Sequence, residues 1–422
     1  MKGPPKRFTP VPYAYHQCVD VEIVDVTNLG QGVGRDREWV IMVPYCLPGE
    51  RVRARIFRNH ATYSEADLID VITPSPGRRA PGCPHFTECG GCQYQHMRLS
   101  AQRLLKQRQV AQLFRRIGGI EAPPVMPTLG DEHAYGYRSK LTPHYSASRE
   151  VIGFMRAGRR QILDIADCPL GRPALRAALP GARRALRERP QSSGRKARGG
   201  TLLLRESVQE TVITDMKAVA EAEVRGLALR FVAGEFFQTN PTMLERMVDV
   251  MRAAISESGV RYLVDAYCGV GLFALTCADL VEKSLGLEIS EPAVNLAEAN
   301  AQRNRITNAR FLAGDANSLF QEVAFPPEAS ALIIDPPRKG CDPGFLAQAA
   351  AFKPKVIAYM SCDPATQARD VRILCAAGWN VTSITPIDLF PQTRHIESLA
   401  ILRADEQAPR ADSGDADNTP QP

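Results

Sequence analysis

Tyr262-Leu263-Val264-Asp265-Ala266-Tyr267-Cys268-Gly269-Val270-Gly271-Leu272 decides the fold. An apolar run of strand length passes into a turn with two glycines one residue apart, and a helical pattern opens at Leu272. The same alternation continues from there. Strands are predicted at Tyr262–Ala266, Ser284–Ile289, Arg310–Ala313, Ala331–Asp335 and Val356–Met360, with helices opening near Leu272 and Glu291. Strands alternating with helices build a doubly wound, Rossmann-like α/β sheet.

In such a sheet, ligands bind beyond the carboxyl ends of the strands. Those ends carry the Asp265–Gly271 loop, then Glu288, Asp315 and Asp335-Pro336-Pro337-Arg338. Glycines let a backbone approach a ligand closely. An acid about 20 residues after the loop is placed to take ribose hydroxyls. Ala274 stands where a dinucleotide fingerprint has its third glycine, which disfavours a pyrophosphate. An acid at each successive strand end suits the ribose, adenine and ammonium groups of S-adenosylmethionine. Gly269, Glu288, Asp315 and Asp335 are the candidate contacts.

Toward the C-terminus, Ser361-Cys362-Asp363-Pro364 follows the fifth strand, and His395-Ile396-Glu397-Ser398 lies about one element later. A thiol beside a methyl-donor site points to a carbon acceptor. C5 of a pyrimidine is a poor nucleophile until a thiolate adds at C6 and makes the ring an enolate. After methylation a base must take the C5 proton so that the thiol can leave. Cys362 fits the thiol and Glu397 the base, which must come within hydrogen-bond reach of that proton. Cytosine-5 enzymes draw their thiol from the fourth-strand motif. Amino-group methyltransferases place an aromatic after an acidic or amide Pro-Pro. Here that motif is Asp-Pro-Pro-Arg, so both comparisons point to uracil.

Upstream, residues 13–73 alternate in the manner of strands, at Cys18–Ile23, Trp39–Val43 and Glu50–Ile56. This reads as a small closed OB-type barrel, an architecture used on nucleic acids. Gly30, Gly32 and Gly34 imitate a dinucleotide loop, but no strand-to-helix switch follows them. Residues 74–97 are rich in Pro, Gly and Cys. Residues 98–117 form a basic helix with Leu99, Leu104, Leu105, Val110, Leu113 and Phe114 as its apolar stripe. Short strands fill residues 135–235, and Arg183 to Arg198 reads as a solvated helix and loop, with RNA contact as the alternative. Residues 404–422 lack apolar character and are expected to be disordered.

A chain of 422 residues is too long for one ordinary domain. The formal charge is +6, but the segment from Ala404 holds five acids against Arg410, a net of −4, which leaves +10 on the rest. That excess favours a polyanionic partner such as nucleic acid, bound with an affinity that falls with salt. No run approaches the ~20 apolar residues of a membrane span, and Met1-Lys2-Gly3-Pro4-Pro5 opens no signal peptide. A cytoplasmic chain is expected, with no obligate protein partner. Its eleven cysteines are then not a disulfide framework. Cys83, Cys89 and Cys92 are spaced C-x5-C-x2-C, with a distant Cys168-Pro169. Four thiolates suit zinc or an iron–sulfur cluster, and the spacing leaves both open.

The chain resembles the RNA uracil-5 methyltransferase family from about residue 14 to 403. The signatures are Phe236-Phe237-Gln238-Thr239-Asn240, the Asp265–Gly271 loop, Asp335-Pro336-Pro337-Arg338-Lys339-Gly340, Ser361-Cys362-Asp363-Pro364 and His395-Ile396-Glu397-Ser398. The resemblance implies that Gln238, Tyr267, Glu288 and Asp335 contact S-adenosylmethionine, with Cys362 as nucleophile and Glu397 as base. The iron–sulfur branch of the family shows the same cysteine spacing and a later Cys-Pro. The resemblance therefore implies a [4Fe–4S] cluster on Cys83, Cys89, Cys92 and Cys168, structural or assisting RNA binding. The implied organisation is a TRAM-like RNA-binding barrel (13–75), a central β-rich iron–sulfur domain (76–97 and 125–235) and a class I methyltransferase domain (98–124 and 236–403). The barrel and cluster favour 23S rRNA as substrate. A tRNA substrate, or an RNA-binding iron–sulfur protein with an inactive methyltransferase domain, are the alternatives. Asp363 replaces a common Asn and Arg394 a common Gly, which puts an extra negative charge beside the thiol and alters substrate fit.

Overall fold

The computed structural model describes residues 5, 8–188, 199–315, 320 and 323–404. The expected disordered tail and the end of the Arg-rich stretch (189–198) lie outside them. Five strands close into a barrel: β1 (Cys18–Val26), β2 (Gln31–Asp36), β3 (Trp39–Pro44), β4 (Arg51–Asn59) and β5 (Tyr63–Thr73). Alternation in β1 and β4 turns Val21, Ile23, Val52, Ala54 and Ile56 inward and leaves Arg51 and Arg53 to water. Gly32 serves packing. A Cβ there would meet the Cys46 Cβ at 2.9 Å and the Val43 carbonyl at 3.0 Å.

Helix α1 (Leu99–Arg116) differs from its expected stripe. Leu104 is 59% exposed, while Gln102, Lys106 and Gln109 are buried. The helix is a wedge, so its polar face is covered by other chain segments. Leu105 packs with Val26 and Leu47 of the barrel side, and Val110 and Phe114 join the core of the large sheet.

The middle of the chain forms small sheets. Its strands are β6 (Lys140–Leu141), β7 (His144–Tyr145), β8 (Ile152–Met155), β9 (Ile162–Asp164), β10 (Gly200–Thr201), β11 (Leu204–Glu206), β12 (Val212–Ile213) and a hairpin of β13 (Val219–Val224) and β14 (Leu227–Val232). Helix α2 (Pro173–Glu188) buries Leu175 and Leu179 on Leu141 and Leu204. Its Arg183, expected in solvent, is buried and donates to the Ile165 carbonyl at 2.7 Å and to Asp164 at 3.0 Å. Its guanidinium is thus partnered by a backbone carbonyl and a carboxylate.

The last part is a seven-stranded sheet of β15 (Tyr262–Ala266), β16 (Lys283–Glu288), β17 (Ala309–Ala313), β18 (Ser330–Ile334), β19 (Val356–Ser361), β20 (Trp379–Ile387) and β21 (Glu397–Ala404), in the order β17-β16-β15-β18-β19-β21-β20. The first five are parallel, and β21 runs antiparallel between β19 and β20. Helices α3 (Pro241–Ser258), α4 (Leu272–Thr276) and α5 (Glu291–Arg303) cover one face, through Met243, Met247 and Met251 on Leu263, Ile333 and Ala358. The other face meets α1, α6 (Pro343–Phe352) and α7 (Pro364–Ala376), with Phe345, Leu346 and Leu374 on Val264, Leu332 and Ile357. Covered on both faces, these strands are apolar almost throughout. Among the described residues, no helix is long and apolar enough to cross a membrane.

Candidate active site

The strand ends converge at one edge of the sheet. After β15 the chain turns through Tyr267 (φ 65°), Gly269 (φ 56°) and Gly271 (φ 88°). A Cβ at Gly271 would also press on Leu275 and Phe311, at 3.0 and 3.1 Å. The Gly269 amide donates to Glu288 at 3.1 Å, and the Ser290 amide donates to its other oxygen at 2.9 Å. Asp265 is fully buried. One oxygen accepts from the Ala274 amide at 2.8 Å, and the other has no partner. Burial, then Asp335 and Glu288, holds its carboxyl well above the usual range. A crevice with glycine turns, an unpartnered buried carboxyl oxygen and two further acids fits a cationic, hydroxyl-rich ligand such as S-adenosylmethionine. Tyr267 bonds to Cys341 and packs edge-on to Phe345 at 5.3 Å, and the exposed Asp315 lies close enough to act on its hydroxyl.

Cys362 follows β19 directly and is half-buried. Glu397 opens β21 and is 6% exposed. The antiparallel register pairs Ser361 with Ser398, so the residue after one and the residue before the other face each other across the strand ends. Burial and the Glu397 carboxylate push the thiol up to about 11, while Arg338, which donates to the sulfur, pulls it down. Burial and Asp335 push Glu397 up to about 8 against Arg338 and Lys106. Asp335 is raised to about 7 by burial alone. A thiol beside a guanidinium and a carboxyl that exchanges its proton near neutrality can add to an electron-poor carbon and then accept a proton.

Asp363 does not burden the thiol. It caps α7, accepting from the Ala365 amide at 3.0 Å and the Thr366 amide at 3.3 Å, where the helix terminus absorbs its charge. His395 is half-buried and pushed down to about 4, by burial and then by Arg338, Arg394, Arg138 and Lys106.

Gln238 is buried in a segment pinned at three points. Arg205 donates to the Phe237 carbonyl at 3.2 Å, the Ser139 amide to the Thr239 carbonyl at 2.7 Å, and the Asn240 side chain to the Leu389 carbonyl at 2.9 Å. It borders a cavity of about 270 Å³ with Ser139, Phe231 and Phe237, and is not among the groups that perturb the acids or the thiol.

Cys83, Cys89, Cys92 and Cys168 are free thiols that lie within one another's fields, raised first by burial for the last three. Donors point at them: the Gly91 amide to Cys89 at 3.4 Å, Gln95 to Cys92, and the Leu170 backbone to Cys168. Arg138 faces three of the four. As the side chains stand, no group of three or more His, Cys, Asp or Glu among the described residues reaches metal-holding geometry.

Sequence reasoning passed over Arg338 as a site residue, and Lys106 and Asp388 entirely. Arg338 was visible as the residue standing where other methyltransferases carry an aromatic. Lys106 had only the weak signal of a cation inside a helical apolar pattern.

Comparison with known proteins bears on the family and the fold. Residues 201–405 match the tRNA (Uracil-5-)-methyltransferase family, and residues 16–69 match the TRAM domain. The tRNA (uracil(54)-C(5))-methyltransferase of Schizosaccharomyces pombe is 36% identical over 93% of this chain and 79% of its own length. The Saccharomyces cerevisiae protein of the same name is 31% identical over 93% of this chain and 75% of its own. In fold, the chain is similar to the Pyrococcus abyssi tRNA (uracil-54, C5)-methyltransferase in complex with S-adenosyl-L-homocysteine, with a TM-score of 0.70 at 23% identity, over 90% of this chain and all of that one. A barrel of the TRAM type, a methyl-donor crevice and relatives of this identity and coverage together place the chain in the family of S-adenosylmethionine-dependent RNA (uracil-5-)-methyltransferases.

Proposed function

We propose that the chain methylates C5 of a uridine in tRNA by a covalent route, with Cys362 as nucleophile and Glu397 as base. The observation that carries the mechanism is the meeting of these two side chains at adjoining strand ends, with Arg338 on the thiol. Two relatives named for uracil 54 of tRNA, matched over nearly the whole chain, support tRNA. The relatives described above leave the 23S rRNA expected from barrel and cysteines without confirmation.

The bound cofactor supplies an electrophilic methyl group on a sulfonium. The residues do the rest. Cys362 gives up its proton to water, Arg338 stabilises the resulting thiolate, and its sulfur bonds to C6 while the C5–C6 π pair moves toward C5 and the O4 carbonyl. Once C5 carries the methyl group, Glu397 takes its proton. The C6–S bond then breaks, its electrons return to sulfur, and 5-methyluridine leaves. Gly269, Glu288 and Asp335 line the cofactor crevice. The roles of Tyr267 and Asp315 there rest on their positions at the strand ends, and those of Tyr267 and Gln238 on the family motif. The target base must leave its stack to reach Cys362.

A [4Fe–4S] cluster on Cys83, Cys89, Cys92 and Cys168 is part of this reading. Four thiols within one another's electrostatic reach, backbone donors toward sulfur and the Arg138 cation support it. Its place is structural, since the chemistry above moves no net electron.

The test is methyl transfer from labelled S-adenosylmethionine to unmodified tRNA and rRNA, with nucleoside analysis. The expected product is 5-methyluridine in tRNA. Label confined to rRNA would overturn the substrate. Cys362→Ala should lose turnover and the protein–RNA adduct while keeping the wild-type circular dichroism spectrum, and retained methylation would overturn the nucleophile.

A further inference from the structure

Helix α1 lies outside the chemistry just described, yet its polar face is buried against the loop that leads into Glu397. Lys106 and Asp388 are both fully buried, with ammonium and carboxylate 2.6 Å apart. The ammonium also donates to the Phe390 carbonyl at 3.2 Å. One turn earlier, the Gln102 side chain donates to the Gln392 side chain at 3.0 Å and accepts from its backbone amide at 2.8 Å. A helix far upstream in sequence therefore grips the loop at residues 388, 390 and 392.

The buried pair has a cost. The second oxygen of Asp388 has no partner. Apolar residues of similar volume often replace such a pair with no loss, or a gain, of stability. A pair that packing does not require invites a second use. The charged and titratable groups facing Glu397 are Asp335 and Arg338 after β18, Cys362 after β19, and Lys106 on α1. Arg338 is exposed, so water screens it, and it is also engaged with the thiol. Lys106 is the cation held in the dry interior: burial pulls its own pKa down, the adjoining Asp388 carboxylate works to keep it charged, and water screens its field least there.

We propose that Lys106 is a positioning residue for the base: anchored on Asp388, its ammonium supplies the fixed interior charge that keeps Glu397 available as a carboxylate. The proposal rests on Glu397 being the proton acceptor.

The test follows breakdown of the covalent protein–RNA adduct in single turnovers on unmodified tRNA between pH 6 and 9. The main variant is Lys106→Met/Asp388→Leu, which leaves no buried charge unpaired. Lys106→Gln, which keeps a donor toward Asp388, is the second. At pH 7 the adduct in both should clear up to about tenfold more slowly than in wild type, because one unit of pK is tenfold in carboxylate fraction. The deficit should narrow to about twofold by pH 9, and Lys106→Arg should restore the wild-type profile. Unchanged clearance overturns the proposal. So does slowing by one factor at every pH, which is what a merely structural role produces. Glu397→Gln in the same assay separates the two readings. A persistent adduct upholds the base, and wild-type clearance removes the base reading whatever the Lys106 variants do.

Discussion

Asp265, Asp335 and Glu397 meet at one end of the sheet with their carboxyls out of water and too few cations to balance them. Glu397 titrates near 4.5 when unfolded and near 8 when folded, so between those values the folded state binds more protons. Its contribution to stability is present at low pH and is lost as pH rises through about 8. Replacing it with Gln should leave the melting temperature near wild type at pH 5 and raise stability by on the order of 1 kcal/mol or more at pH 8.5, since one unit is about 1.4 kcal/mol. Thermal unfolding at the two pH values measures this, and an equal change at both would exclude the desolvated carboxyl. The thiol, the base and the strand-end acids were legible as residue types at meaningful positions. Their proton affinities were not, because desolvation depends on neighbours distant in sequence, Lys106 among them.

Helix α7 shows how an element can neutralise a substitution. Asp363 departs from the family's common Asn, but both side chains accept from free amides at a helix start. Asp363→Asn should therefore leave melting and single-turnover rate within about twofold, because the cap survives. Asp363→Ala should cost about 1 kcal/mol of stability and slow adduct formation, because Cys362 is the residue next to the cap. Equal damage from both would mean that the charge itself matters. At this scale the parallel strands were read to within a residue or so, since each is an apolar run ending in a turn. Two strands escaped, β20 and β21, which lie beyond the last strand the alternation predicted, and α1 buries part of its polar side as well as most of its apolar stripe. Amphipathic periodicity assumes that water covers the polar side of a helix. Here Gln102, Lys106 and Gln109 face protein, and Gln109 donates to the Thr27 carbonyl of the barrel side at 2.8 Å.

Across the whole molecule, α1 and the cysteine loop tie the parts together. Arg108 and Gln112 hold Asp25 of the barrel at 3.2 and 3.1 Å, and the Gln93 and Tyr94 amides donate to the Gln392 carbonyl at 3.0 and 2.9 Å. A cluster on the four cysteines would brace this junction. Protein purified without oxygen should hold about four irons and four sulfides per chain, and Cys92→Ser should lose both. Removing the iron should lower the melting temperature and weaken tRNA binding more than it slows methyl transfer at saturating tRNA. One zinc and no sulfide would replace the cluster with a zinc site. The sequence by itself determined the strand–turn–helix crevice, the barrel and the thiol after a strand, because each is written in local periodicity and turn chemistry. Only the tertiary structure decided which strand register carries Glu397 to that thiol and that Lys106 stands behind it. Both depend on long-range packing, the antiparallel register of Ser361 with Ser398 and a buried ion pair between segments far apart in the chain, which no local pattern encodes.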